Sequence, residues 1–184
     1  MIRSMIRFLS IFLAFLFPFV LSAQNTVPRL SKFPVAQTGC SVYLPGSPGE
    51  FEKSLSQDSS EVYTGEVQHG DHFFAVILVK FTESTASEIQ TPEVKAMLME
   101  SYLDYLKAQF GITASAGYGR GHTLESAPSA VGVIDFWEDA EKKQYAVKSW
   151  CNGQILSVLF LYGPKEYPHF NVQQLFLNGF RFPE

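Results

Sequence analysis

The sequence predicts an α+β domain, an antiparallel β-sheet flanked by helices. Three observations carry this: apolar stretches broken by tight-turn signals at 61–81 and 129–163, one strongly capped helix after Thr91, and no alternating βαβ rhythm. Strands grouped before and after one long helix pair most simply as antiparallel neighbours. A chain of 184 residues with 46% hydrophobic, 15% aromatic and 17% charged residues buries a substantial core. That composition excludes intrinsic disorder as the main state, and two cysteines are too few for a disulfide scaffold.

Residues 1–23 read as a signal peptide. Arg3 and Arg7 precede an apolar run from Phe8 to Leu21, which Ser22 and Ala23 close. The run is shorter than the roughly 20 residues a spanning helix needs. The mature chain, from Gln24, is therefore expected to be exported, periplasmic or secreted, with no stable membrane anchor. Removing Arg3 and Arg7 takes the basic count from 14 to 12 against 18 acidic residues, a formal charge of −6. So acidic a surface argues against a nucleic-acid partner.

Residues 24–38, with Pro28 and Pro34, read as an extended leader into a single α+β domain over 39–184. Cys40 to Leu44 is a short strand ended by the turn residues Pro45, Gly46, Pro48 and Gly49. Glu61–Gln68 and His72–Phe81 form a hairpin through Gly70-Asp71. The unbroken run Phe73–Val79 is apolar on both alternating faces, as a central strand covered on both sides requires. Thr91-Pro92-Glu93 then begins a helix, with threonine to cap, proline suited to the first turn and glutamate at the positive end. Val94, Met97, Leu98, Ser101, Tyr102, Tyr105 and Leu106 recur at helical spacing and are expected to face the core, and Gly111 is a natural terminator.

Gly117, Gly119 and Gly121 mark a flexible or strand-edge stretch, without the lysine and following helix of a phosphate loop. Two hairpins follow. Asn152-Gly153 favours a two-residue turn, which sets Cys151 opposite Gln154 and Val147 opposite Val158. Tyr145, Val147, Ser149, Leu156, Val158 and Phe160 then share one face. A turn centred on Ala140-Glu141 sets Asp135 opposite Ala146, and it gathers Val133, Asp135, Trp137, Lys148 and Trp150 on the other face. A shorter helix from Pro168 to Leu177 carries Val172, Leu175 and Phe176, and Phe180–Phe182 closes the chain.

This order of features, with Tyr43-Leu44-Pro45 early, Tyr162-Gly163-Pro164 late and a last helix running into Leu177-Asn178-Gly179-Phe180, resembles the PsbP-like α/β sandwich family. The resemblance spans roughly Gly39 to Phe182. Gly179-Phe180 departs from the family's more usual Ser-Phe. It implies an α/β/α sandwich. Members with assigned roles, an extrinsic photosystem subunit and a small Ran-binding factor among them, act mostly by binding, so the resemblance implies a non-catalytic role. It assigns no individual residue a function.

Candidate chemistry is sparse. His69 and His72 flank the hairpin tip and face each other, so with Glu66 or Asp71 they are candidate metal ligands, although zinc asks for three or four. Asp135 lies between Ile134 and Phe136-Trp137, and Lys148 is its nearest expected cation. Trp137 and Trp150 together offer a stacking surface for a flat ligand. Export makes Cys40 and Cys151 candidates for one disulfide, closing a loop of about 110 residues; the alternative is two separate buried thiols. No GxSxG, HExxH or calcium-loop motif is present and no cofactor is expected. The expectation is an exported binding or accessory domain acting on an envelope protein partner or an extracellular ligand. A metal-dependent hydrolase using His69 and His72, or a structural envelope protein, are the alternatives.

Overall fold

The computed structural model describes residues 27–183. The expected signal peptide, residues 1–23, lies outside them. Ten strands and three helices follow in order among the described residues: β1 Ser31–Pro34, β2 Ser41–Leu44, β3 Glu52–Leu55, β4 Glu61–His69, β5 His72–Lys80, α1 Glu83–Glu88, α2 Pro92–Gln109, β6 Ile112–Ser115, β7 Gly119–Leu124, β8 Ala127–Asp139, β9 Gln144–Cys151, β10 Ile155–Gly163 and α3 Phe170–Asn178. Eight strands make one sheet in the order β3-β4-β5-β10-β9-β8-β6, with β7 also pairing β8, and every pairing is antiparallel. β1 and β2 form a separate two-stranded ribbon. Within the stretch expected as an extended leader, Ser31–Pro34 pairs β2 and Val35 lies in the core, so its described part is joined to the domain.

β5 sits between β4 and β10, and alternation divides its side chains. Phe74, Val76 and Leu78 join one buried cluster, while Ala75, Ile77 and Val79 join another. The first cluster includes Val172, Phe176 and Leu177 of α3 together with Val42 and Leu44 of β2. The second includes Met99, Leu103 and Leu106 of α2, which packs over β8, β9 and β6.

α2 begins as expected, with the Thr91 side chain accepting from the Val94 amide at 3.3 Å. Gly111 follows its end at φ 62°. Its buried stripe differs from expectation. Lys95, Met99, Leu103 and Leu106 face the sheet, whereas Val94, Met97 and Tyr105 are exposed. Lys95 explains the rotation, since its apolar stem is buried while Nζ donates to the Ser129 carbonyl at 2.9 Å. In α3 the buried residues are Val172, Gln173, Phe176 and Leu177, and Leu175 is exposed.

Both late hairpins have longer connections than expected. Asn152 accepts from the amides of Gln154 and Ile155 through Oδ1, each at 2.9 Å, and Gly153 alone takes positive φ. Cys151 consequently pairs Leu156 in place of Gln154, a shift of two that leaves the expected face intact. In the β8–β9 connection, Asp139 Oδ1 accepts from the amides of Glu141 and Lys143 and Lys142 adopts φ 65°. Asp135 therefore pairs Val147, not Ala146. This shift is by one residue, and a one-residue shift moves side chains to the opposite face relative to their neighbours.

Candidate functional site

The β8–β9 shift separates the five residues expected to share a face, Val133 staying with Asp135 and Trp137. Asp135 and Trp137 lie with Val147 and Tyr145 beneath α2; Lys148 and Trp150 lie on the α3 side. Asp135 is fully buried and pairs with Lys107 of α2 at 2.9 Å in place of Lys148. It also accepts from Ser115 Oγ, Trp137 Nε1 and the Phe136 amide at 2.7–2.8 Å. Burial alone would raise its pKa, but these donors together outweigh burial and hold it below the ordinary carboxylate value. With its oxygens fully engaged, the carboxylate fastens α2 to the sheet and has no spare reach toward a substrate.

Lys148 is 3% exposed, donates to Asn178 Oδ1 at 2.6 Å and lies 4.5 Å from the Trp150 ring centroid. Burial pushes its amine down to about 8. Trp150 is 1% exposed, and its Nε1 donates to the Leu177 carbonyl at 2.8 Å. Neither indole is a stacking surface, because both are enclosed by the core.

His69 and His72 do pair across the hairpin tip. His72 is buried, however, with Nε2 2.9 Å from the Lys165 carbonyl oxygen and its ring edge-on to Tyr167. No group of three His, Cys, Asp or Glu side chains placed to hold a metal occurs among the described residues. Cys40 and Cys151 are free thiols buried in different clusters, on opposite sides of the sheet, so no disulfide joins them.

The concave site lies elsewhere. α2 packs over β6, β8 and β9, and further along the same side of the sheet the Thr64–Glu66 stretch of β4 and Ala75 and Ile77 of β5 are only partly covered. There a groove of about 670 Å³ opens, within the roughly 300–1,000 Å³ typical of small-molecule sites. Its floor is set by register: Glu66 pairs Ala75, which pairs Phe160, and Thr64 pairs Ile77. Ala75 is the small residue of the apolar β5 run, and the space it leaves deepens the floor. Glu50 and Glu52 form one rim and Phe110 and Lys143 lie on the other.

An aromatic row runs into the groove, with Tyr162, Tyr145 and Phe110 in its lining and Phe73 beyond it. Phe73 pairs Tyr162 and Tyr162 pairs Tyr145, so their rings stack in series at 5.1 and 5.2 Å, and Phe110 extends the row at 6.4 Å from Tyr145. All three contacts are within 16° of parallel. Tyr162 donates to Glu66 Oε2 at 2.5 Å and Tyr145 to Asp139 Oδ2 at 3.0 Å. Burial, reinforced by those carboxylates, raises both phenols well above the ordinary tyrosine value, so they remain protonated donors. Three carboxylates, Glu50, Glu52 and Glu66, face a single lysine, and the groove carries a net negative field over an apolar floor.

The sequence reading did not single out this groove. Its available signals were Thr64 and Glu66 alternating on β4 opposite an alanine in an otherwise bulky strand. No protein-family model matches the chain, and no curated protein matches it.

Proposed function

We propose that the mature chain is an exported, non-catalytic binding domain whose groove seats a small amphiphilic cation, an apolar body bearing an ammonium- or guanidinium-type head. One observation carries this reading: an apolar and aromatic floor lies under a rim of three carboxylates in a ligand-sized groove, and among the described residues its lining contains no histidine, cysteine or serine. The floor contributes burial of the body at about 25 cal/mol per Å². The carboxylates and the half-exposed Phe110 ring favour the positive head, a cation–π contact at such an exposed ring being worth about 0.5–1 kcal/mol.

Export is supported by the basic-then-apolar order of residues 1–23. A PsbP-like α/β/α sandwich is supported by the order of elements and by α2 and α3 joining different buried clusters. The hydrolase alternative at His69 and His72 is less well supported, because His72 is buried and engaged with the Lys165 carbonyl.

Calorimetric titration of the chain from Gln24 onward tests the proposal, using octyltrimethylammonium, octyl glucoside and octanoate below their micellar concentrations. The ammonium compound should bind most tightly, weaken with added salt, and lose at least tenfold in affinity to the double variant Glu50→Lys/Glu66→Lys. Equal binding of all three compounds, or indifference to the charge reversal, would overturn it.

A further inference from the structure

On the side of the sheet away from the groove, Tyr167 is wedged between β5 and the start of α3. Its ring makes edge-on contacts with His72 at 5.0 Å, Phe74 at 5.5 Å and His169 at 5.5 Å. Those contacts fix the ring, and only 8% of the residue is exposed. Its hydroxyl nevertheless has no hydrogen-bond partner among the described residues. A buried tyrosine hydroxyl ordinarily finds one, and an orphan asks for an explanation.

A second polar group stands beside it. Gln173, in the first turn of α3, is equally buried and lines the same hollow as Tyr167. Tyr167 and Gln173 together line a hollow of about 100 Å³, whose apolar walls include Ala146, Leu161 and the half-exposed Phe136. The same two residues line an adjoining hollow of about 280 Å³ that reaches the exposed Phe170. A space of this size holds a group of several heavy atoms.

Of the hollow's other polar liners, His72 and Gln144 are engaged with the Lys165 carbonyl and Glu138, and the exposed Lys165 and Glu166 offset each other in charge, so Tyr167 and Gln173 define what fits. Burial pushes the Tyr167 phenol up to about 12, so it remains a donor in search of an acceptor. The Gln173 amide both donates and accepts. The complement is a neutral group carrying a carbonyl acceptor and an N–H donor next to a methyl-sized apolar part. We infer that Tyr167 and Gln173 form a second binding site, on the opposite side of the sheet from the groove, that takes the acetamido group of a small N-acyl compound. Tyr167 donates to the carbonyl oxygen, the Gln173 side-chain carbonyl accepts from the N–H, and the acyl methyl packs on Ala146 and Leu161. The same group is offered by N-acylated amino acids and by N-acetylated sugars.

The test is NMR titration of the chain from Gln24 onward, following the Gln173 side-chain amide and the Tyr167 ring. N-acetyl-leucine methylamide and N-acetylglucosamine represent the two sources; leucine methyl ester and glucose are the matched compounds without the acetamido group. Saturable shifts at both residues with one or both acetamido probes, and none with the matched compounds, are expected, and the responding probe identifies the source. Tyr167→Phe retains the packed ring and should weaken that binding at least tenfold with an unchanged Tm. Absence of shifts at tens of millimolar probe would overturn the site. So would shifts that the matched compounds reproduce, or binding that survives Tyr167→Phe. A lowered Tm for Tyr167→Phe without an effect on binding would give the hydroxyl a purely structural role and equally overturn it.

Discussion

Gly132 lies directly opposite Trp150 across the β8–β9 ladder, and the indole fills the volume a side chain at 132 would occupy. A Cβ at that position would sit 2.6 Å from Trp150 Cε3 and 3.0 Å from His122 Cβ. Because the indole is also anchored by its bond to the Leu177 carbonyl, it cannot simply swing aside. Gly132→Ala should therefore cost about 1–3 kcal/mol through overpacking, and Trp150→Ala about 3–5 kcal/mol through the cavity it leaves. Urea denaturation checks both, and a wild-type midpoint for either variant contradicts the packing described.

Asp135 and Lys107 should behave as a unit. Lys107→Met leaves a buried carboxylate short of its cation, and Asp135→Ala leaves Lys107 and the Trp137 N–H unpaired, so each should cost about 3–5 kcal/mol. The double variant should cost less than the sum of the two, as a double-mutant cycle would show. The Asp135 pKa is lower folded than unfolded, so its contribution is present above the unfolded value near 3.8 and is lost as pH falls through the folded value. Asp135→Asn should flatten the acid limb of the stability profile.

Lys148 gives the opposite signature at the alkaline end. Burial holds its folded pKa at about 8, below the ordinary lysine value of 10.5. Between those values the unfolded chain binds the extra proton, so this residue's contribution to stability rises with pH. Denaturation at pH 7.5 and 9.5 should show the wild type gaining stability, while Lys148→Met shows no such gain. At pH 7.5 the variant should be the more stable by about 1–3 kcal/mol, since it removes a buried charge that has no carboxylate partner among the described residues. A variant that follows the wild-type pH profile would contradict this.

The two thiols should be inert in the folded protein. Burial raises both, Cys40 to about 11, and reactivity follows the thiolate. A chromogenic disulfide reagent should label neither under native conditions and both in strong denaturant, and a reductant should leave the Tm unchanged. A Tm drop on reduction would indicate a bridge.

Local chemistry made much of the fold legible. The β4–β5 hairpin follows from alternation around Gly70-Asp71, and the start of α2 from the Thr91 cap, because both depend on neighbouring residues only. The buried face of α2 did not follow, since Lys95 counts as polar in a pattern yet buries its stem. α1 was missed because its six residues bury nothing. The pairing of Asp135 departs from the expected register because Asp139 captures two amides and lengthens a turn that Ala140-Glu141 alone would make short. The groove exists because α2 covers part of the sheet and stops, a fact of tertiary packing with no local trace beyond Ala75.

The β8–β9 connection acts as a parity rule. Asp139 to Lys143 join the paired residues Glu138 and Gln144, so the spacing fixes which side of the sheet each residue of β8 occupies. Deleting one residue there is an odd step, and unless a bulge absorbs it, Ile134 and Phe136 trade sides with Asp135 and Trp137 and the ion pair to Lys107 is lost. Changes of two leave every side chain on its own side, so this connector should accept insertions in even numbers and resist odd ones.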